Sequence, residues 1–216
     1  MSEPFWEVLR LTLQVTGIAL AVAAAFGIPV GVALARSRFS GKGLLVAAVY
    51  TGMGLPPVVV GLGVYLLLSR SGPLGDLGWL FTPSGMIVAQ VIIAFPVVAG
   101  LTMAATEAIH PELALQLRSL GANSDQEARA LLREAQPGVL AALLAGFGAI
   151  ISEVGAAMLV GGNIDGQTRV LSTAVVLETR RGHFGLALAL GGALLTLAFV
   201  VNALLLRFQV SPRRLG

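Results

Sequence analysis

Charge is scarce in this sequence. Of its 216 residues only 12% are Asp, Glu, Lys or Arg, about half the share of an average globular domain. Hydrophobic residues make up 56%, and the mean hydropathy is +0.87. A chain so poor in charge cannot cover a water-facing surface with polar groups, which excludes one large core in aqueous surroundings and leaves lipid as the solvent. Cysteine is absent, so disulfides, thiolate metal sites and catalytic thiols are excluded. The two histidines, His110 and His183, fall on opposite expected sides of the membrane and cannot share a metal. Lysine occurs once, as Lys42 in SGKG. A phosphate-binding loop needs glycine six residues earlier, where Arg36 stands, and Ser or Thr next, where Gly43 stands. The chain therefore carries no ATPase loop. No His, Cys or Asp constellation lies at membrane depth, which argues against an intramembrane enzyme. A pI near 10.2 with a net charge of only +3 reflects arginines dispersed among loops, a pattern of membrane topology rather than nucleic-acid binding.

Small residues, by contrast, are abundant. There are 27 glycines, and such residues let membrane helices approach closely where lipid gives no hydrophobic drive to associate. A spanning helix needs about 20 mainly apolar residues, and five candidates appear: 8–35, interrupted by Gly27 and Pro29; 44–68, kinked or broken at Pro56 and Pro57; 85–108, with Pro96 near its middle; 139–160; and 184–206. A shorter run, 170–177, suits a half-buried helix lining a cavity. The fold class is thus an all-α integral membrane protein of about five transmembrane helices, forming a single domain over 1–216. Glu3 and Glu7 stand where a signal peptide would be basic, so the first span is expected to be retained. Trp6 and Trp79 suit interfacial positions.

Five spans put the two ends on opposite sides. Of the 14 basic residues, Arg36, Arg38, Lys42, Arg118, Arg129, Arg133, Arg207, Arg213 and Arg214 share one side; Arg10, Arg70, Arg169, Arg180 and Arg181 share the other. The larger set belongs in the cytoplasm, with the N-terminus outside and the C-terminus inside.

One polar stretch, RSLGANSDQEARALLREAQPG, Arg118–Gly138, interrupts the oily chain. Pro111 suits the first turn of a helix striped by Leu113, Leu117 and Leu120. Gly121 can end it in a left-handed conformation. Ser124 to Glu127 fits the capping box S-x-x-E, opening a second helix with Ala128, Leu131, Leu132 and Ala135 on one face. The segment 111–137 reads as helix, glycine turn, helix outside the membrane. Its apolar faces suit the membrane surface, the protein's own helix ends or a groove on a soluble partner.

These residues resemble the coupling loop of ABC-type importer permeases, whose pattern is E-A-A, three residues, G, nine residues, I-x-L-P. Gly121 and Leu131 keep the spacing, while Leu115-Gln116-Leu117 stand where E-A-A would be and Pro137 falls three residues late. The block ISEVGAAMLVGGNIDGQTRVLSTAVVLETRRG, Ile150–Gly182, and GLPPVVVGLGVYLLLSRSGPLG, Gly54–Gly75, resemble oxyanion-importer permeases of the molybdate, sulfate and tungstate types, closest to the tungstate type. The resemblance implies a bacterial or archaeal cytoplasmic-membrane permease that moves a tetrahedral oxyanion by ATP-driven alternating access. It implies a homodimer, an ABC ATPase partner that holds ATP and Mg, and an extracytoplasmic oxyanion-binding protein. No cofactor is expected on this chain, nor nucleic acid as a partner. Leu117, Arg118, Ser119, Leu120, Gly121, Ala122, Asn123 and Ser124 would form the ATPase-coupling loop.

For the translocation pathway or gate, the candidates are Ser152, Glu153, Gly155, Asn163, Thr168, Arg169 and Thr173. Glu153 lies inside the expected fourth span, where a charge costs about 2.5 to 3.5 kcal/mol on insertion scales and turns inward to a partner. As a carboxylate it would repel an anionic cargo, which favours a packing, gating or dimer-contact role. Asn163, Gln167, Thr168 and Arg169 supply donors on the outer side, and Ser172 and Thr173 continue that polar path. A secondary transporter is the rival reading. Such folds often carry repeats and several mid-membrane acids, whereas this sequence shows no repeat and only Glu153.

Overall fold

A computed structural model of the protein describes residues 3–109 and 111–209. Among these residues it is helical, with no strands. Helix α1 (Glu3–Arg36) leads to α2 (Lys42–Met53) and α3 (Pro57–Leu68). A 3-10 turn at Gly75–Leu77 precedes α4 (Pro83–Glu107), and α5 (Pro111–Ser119) and α6 (Ser124–Glu134) form the polar stretch. Then come α7 (Gln136–Ile151), α8 (Gly155–Gly161), α9 (Leu171–Arg180) and α10 (Phe184–Gln209). Three helices, α1, α4 and α10, are each long and apolar enough to cross a membrane, and up to five spans result if two bent helix pairs are counted.

The first expectation that needs correcting concerns Pro29. It sits inside α1 without interrupting it; Gly27 and Gly31 on either side pack directly on residues 98–103 of α4, and that contact holds the helix together through the proline. At 34 residues α1 is about 50 Å long, well beyond a hydrocarbon core of about 30 Å. Its Arg36 end lies beside the Glu107 end of α4. The α1–α4 pair forms the most extensive helix contact of the fold. A side chain at Gly31 would run into the Ala99 carbonyl of α4, so only glycine lets the two backbones lie this close.

Helix α4 runs the length of the core. Pro96 lies within it and is buried, its ring against Gly52 of α2. Ala89, Ile93 and Ala94 of α4 pack with Ala19 and Ala23 of α1, Val60, Val64 and Leu68 of α3, Ile150 of α7 and Ala156 and Val160 of α8. The second span breaks where Pro56 and Pro57 remove donors: α2 and α3 meet at 102°.

The expected fourth span is not one helix. It ends at Ile151 and resumes at Gly155, so that α7 and α8 are separate. No proline causes this break; side chains from elsewhere stabilise it. Gln90 of α4 donates from Nε2 to the Ile150 carbonyl (3.4 Å), and Ser172 of α9 donates to the Glu153 carbonyl (3.0 Å). The freed backbone groups thus find partners inside the protein, the condition for irregular backbone at membrane depth. Helix α9 is the short half-buried helix expected over 170–177, displaced slightly to Leu171–Arg180.

Candidate functional site

The helix–turn–helix of the polar stretch is present. Helix α5 ends at Ser119, and Gly121 takes φ +83°. Its amide donates to the Arg118 carbonyl (3.0 Å), and that of Ala122 donates to the Leu117 carbonyl (3.0 Å), closing α5 with a left-handed residue. Ser119 donates its hydroxyl to Gln116 (2.8 Å). Leu117 is half-buried, but Leu120 lies beyond the helix and is 84% exposed, so it does not complete the expected stripe.

The capping box forms one residue earlier than the S-x-x-E spacing predicts. Asn123 is the N-cap, accepting from the Gln126 amide (2.9 Å), while the Gln126 side chain accepts from the Asn123 amide (2.8 Å). Ser124 becomes the first residue of α6. The reason lies in Glu127. Instead of folding back on Ser124, its buried carboxylate receives Nε and Nη2 of Arg118 (2.9 and 3.0 Å) and Nη2 of Arg36 (3.2 Å). Arg36 also donates from Nη1 to the Ser124 carbonyl (3.3 Å). The Arg118 hydrogen bond, opposed by burial and aided by the Arg36 charge, holds the Glu127 carboxyl below its ordinary range; the same bond raises the Arg118 guanidinium. Leu131 and Ala135 are buried and Ala128 and Leu132 half-buried, as their spacing predicts. Arg36 was not legible as a partner, because 91 residues separate it from Glu127; the opposite charges at the two helix ends were the only signal.

A second constellation surrounds the break between α7 and α8. Glu153, 8% exposed, is not within a spanning helix but at the break. Its Oε1 accepts from the Ala156 amide at 2.8 Å, capping α8 with a negative charge at its positive end. Ser152 donates to the Gly148 carbonyl (2.9 Å) and is itself exposed. Gly155 lies against Val58 of α3, and Gly61 of α3 faces the Ala156 backbone so closely that a side chain would overlap it. The first turns of two half-spans, one after Pro56-Pro57 and one after Glu153, are thereby brought face to face.

The residues expected on the outer side separate into structural and open ones. Thr168 is fully buried, donating to the Gly161 carbonyl (2.6 Å) and accepting from the Ile164 amide (2.9 Å). Thr173, also fully buried, exchanges hydrogen bonds with Val170 (3.0 and 3.1 Å) at the start of α9. Both hydroxyls are committed to backbone and shape the loop. Asn163 takes φ +54°, a conformation asparagine tolerates better than most residues, and its buried Oδ1 has no hydrogen-bond partner. Arg169 pairs with Asp165 (2.6 Å) while its buried Nε has no acceptor. Arg10, Gln14, Gln167 and Arg169 line one cavity of about 240 Å³ together with Glu7 and Asp165. Two of the five basic residues assigned to the outer set, Arg10 and Arg169, thus share one cavity, while Arg36, Arg38 and Arg118 of the inner set line another. His183 binds Glu178 through Nδ1 (2.7 Å), and Arg181 reaches the same carboxylate (3.0 Å). The His183 bond, against burial, keeps the Glu178 carboxyl below its ordinary range. His110, Arg213 and Arg214 lie outside the described residues. Trp6 and Trp79 are 65% and 39% exposed.

Comparison with known proteins fits this geometry. The sequence pattern of the binding-protein-dependent transport system inner membrane component family matches residues 27–214. A probable anion ABC transporter permease protein of Haloferax volcanii is 42% identical over 208 residues, covering 94% of this chain and 90% of its own. A tungstate uptake system permease protein of Peptoclostridium acidaminophilum is 38% identical over 204 residues, with the same coverage of 94% and 90%. Among solved structures, a bacterial ABC transporter involved in alginate import superposes with a TM-score of 0.75 over 98% of this chain and 82% of that one, at 22% identity, a likeness of fold.

Proposed function

This chain belongs to the family of binding-protein-dependent transport inner membrane components, and from that membership we propose that it is the permease subunit of an ABC importer for tetrahedral oxyanions, with tungstate as its cargo. The observation that carries the reading is the α5–α6 element. It is a pair of short helices, tied by Glu127 to the Arg36 end of α1 and turned at Gly121, at one end of a body otherwise made of apolar helices. A permease without an ATPase loop of its own needs such an element to receive motion from a separate ATPase. The similarity to an anion permease and to a tungstate permease over 94% of the chain supports the cargo class.

In this mechanism two copies of the chain enclose the pathway, each docked through Leu117–Ser124 on one ATPase subunit that holds ATP and Mg. A binding protein delivers the oxyanion on the opposite, extracytoplasmic face. Closure of the ATPases on ATP draws the two α5–α6 elements together. Because Glu127 ties that element to Arg36 of α1, the displacement passes to α1 and α4 and tilts the bundle. The facing half-spans α3 and α8 are the gate, and the breaks at Pro56 and at Ser152-Glu153-Val154 are its hinges. Glu153 acts there by capping α8 at Ala156 rather than by touching an anion, which its charge would repel. Asn163 and Arg169 offer the outer path its donors.

The test is the tungsten and molybdenum content of cells lacking the gene, measured by mass spectrometry beside a complemented strain on trace amounts of both oxyanions. Loss of tungsten alone is expected. Loss of molybdenum, or of both, keeps the mechanism and changes the cargo. With neither changed, labelled sulfate uptake decides whether the oxyanion class stands.

A further inference from the structure

A cavity of about 760 Å³ opens where the ends of α1 and α4 meet α5 and α6, lined by Arg36, Arg38 and Arg118 and by Ile109, Leu115 and Leu131. Its charges do not balance. The two oxygens of Glu127 are taken by Arg36 and Arg118, and Glu107, also on the wall, is taken by Lys42 at 3.4 Å. Three arginines on the wall thus meet two carboxylates, one of which is shared with Lys42 outside it. Arg38 is exposed and makes no hydrogen bond or ion pair among the described residues, and the Nε–H of Arg36 is buried with no acceptor. The carbonyl ends of α1 and α4 also point here and favour positive charge, but each helix ends beside a cation already bound to a carboxylate. Donors remain in excess. A guanidinium cluster with unused N–H groups matches the oxygens of a phosphate-like group in spacing and charge.

We infer that this cavity is a binding site for a tetrahedral oxyanion group, held by Arg38 with Arg36 and Arg118 beside it, at the base of the coupling element. Two sources share that chemistry. One is the headgroup phosphate of an anionic phospholipid, whose glycerol and first methylenes would lie on Ile109, Leu115 and Leu131. The other is a free oxyanion of the kind the importer delivers, returning to the face from which ATPase motion enters. In both cases occupancy stiffens the joint between α1 and the α5–α6 element, because the anion bridges a residue just beyond α1 to the carboxylate-bound arginines. That this end faces the cytoplasm rests on the importer reading above; the binding itself does not.

The experiment uses the purified full-length chain with its ATPase, stripped of lipid in detergent. Native mass spectrometry follows titration with phosphatidylglycerol or phosphatidylcholine, and equilibrium dialysis follows molybdate and inorganic phosphate. Retention of phosphatidylglycerol over phosphatidylcholine identifies the lipid source, and saturable molybdate or phosphate binding identifies the free anion. Either affinity should fall about tenfold in Arg38→Ala, the loss of one charge-assisted contact, and recover in part in Arg38→Lys. Arg38 is exposed and has no hydrogen bond or ion pair among the described residues, so these variants leave the helix contacts intact. No preference for phosphatidylglycerol together with no anion binding, or binding equal in Arg38→Ala, overturns the site. Binding that persists in a chain whose deletion changes no cellular oxyanion would overturn the importer reading alone.

Discussion

At the scale of single residues, Glu127 carries the most consequence. It is buried, yet one of its partners, Arg118, has a side chain 63% exposed, so water screens part of the attraction and the loss on Glu127→Gln is expected at about 1–3 kcal/mol, below that of a fully buried pair. The pH dependence has a definite sign. The Glu127 carboxyl is held below its ordinary range, first by the Arg118 hydrogen bond, so the unfolded chain binds the proton more readily. Its stabilisation is complete above the unfolded value of about 4.3 and is lost as pH falls through the lower folded value. Thermal unfolding of the detergent-solubilised protein should therefore separate wild type from Glu127→Gln at neutral pH and bring them together in strong acid. A constant gap down to the lowest pH tested would mean that the carboxylate charge is not what holds α6 to α1.

Elements obey rules that the residues alone only partly announce. Gly121 shows both sides. Its φ of +83° calls for glycine, but the space where a side chain would sit is empty, so only the backbone penalty applies. Asparagine tolerates that region, and Gly121→Asn should fold and keep most uptake. Gly121→Asp should insert and fold nearly as well while abolishing uptake, because it places a charge on the turn proposed to dock on the ATPase. Uptake in membrane vesicles, scored beside the amount of inserted protein, separates the two; equal uptake by both would remove the turn from the coupling surface. The long helices were legible because about 20 apolar residues in lipid leave the backbone no alternative. The turn was legible because glycine alone is unpenalised there. What stayed hidden was decided by distant partners. N-x-x-Q and S-x-x-E overlap at Asn123 and Ser124, and the second lost because Arg36 and Arg118 draw Glu127 away. The break after Ile151 has no proline to announce it; Gln90 and Ser172, 60 residues before Ile150 and 19 after Glu153, supply the hydrogen bonds that make it stable. The same distances explain the candidate site. The loop's residues adjoin in sequence and could be named, but Thr168 and Thr173 read as pathway donors in the sequence while in the fold their hydroxyls donate to backbone carbonyls.

For the molecule as a whole, the long helices are unevenly covered. The most apolar window of α4 is 61% buried, that of α10 only 11%, and Val58, Val59, Leu62, Leu66 and Leu67 leave one side of α3 exposed. On the proposed reading, a pathway bounded by α3 and α8 is open along that side, and a second copy is expected to close it. Light scattering of the purified complex should give two 22.2 kDa chains per particle; one chain per particle would place the pathway within a single subunit. One hydrogen bond also speaks to how the molecule is made. Thr12 of α1 donates its hydroxyl to Val8 (2.7 Å) and accepts the amide of Leu171 at the start of α9 (2.9 Å), 159 residues later. At a synthesis rate of about 5–20 residues per second, α1 waits about 8–30 s for that partner to leave the ribosome. During the wait its hydroxyl proton is already satisfied by Val8, and only an acceptor lone pair stands open. The first helix can therefore enter the bilayer early, keeping vacant the seat that a helix not yet translated will occupy.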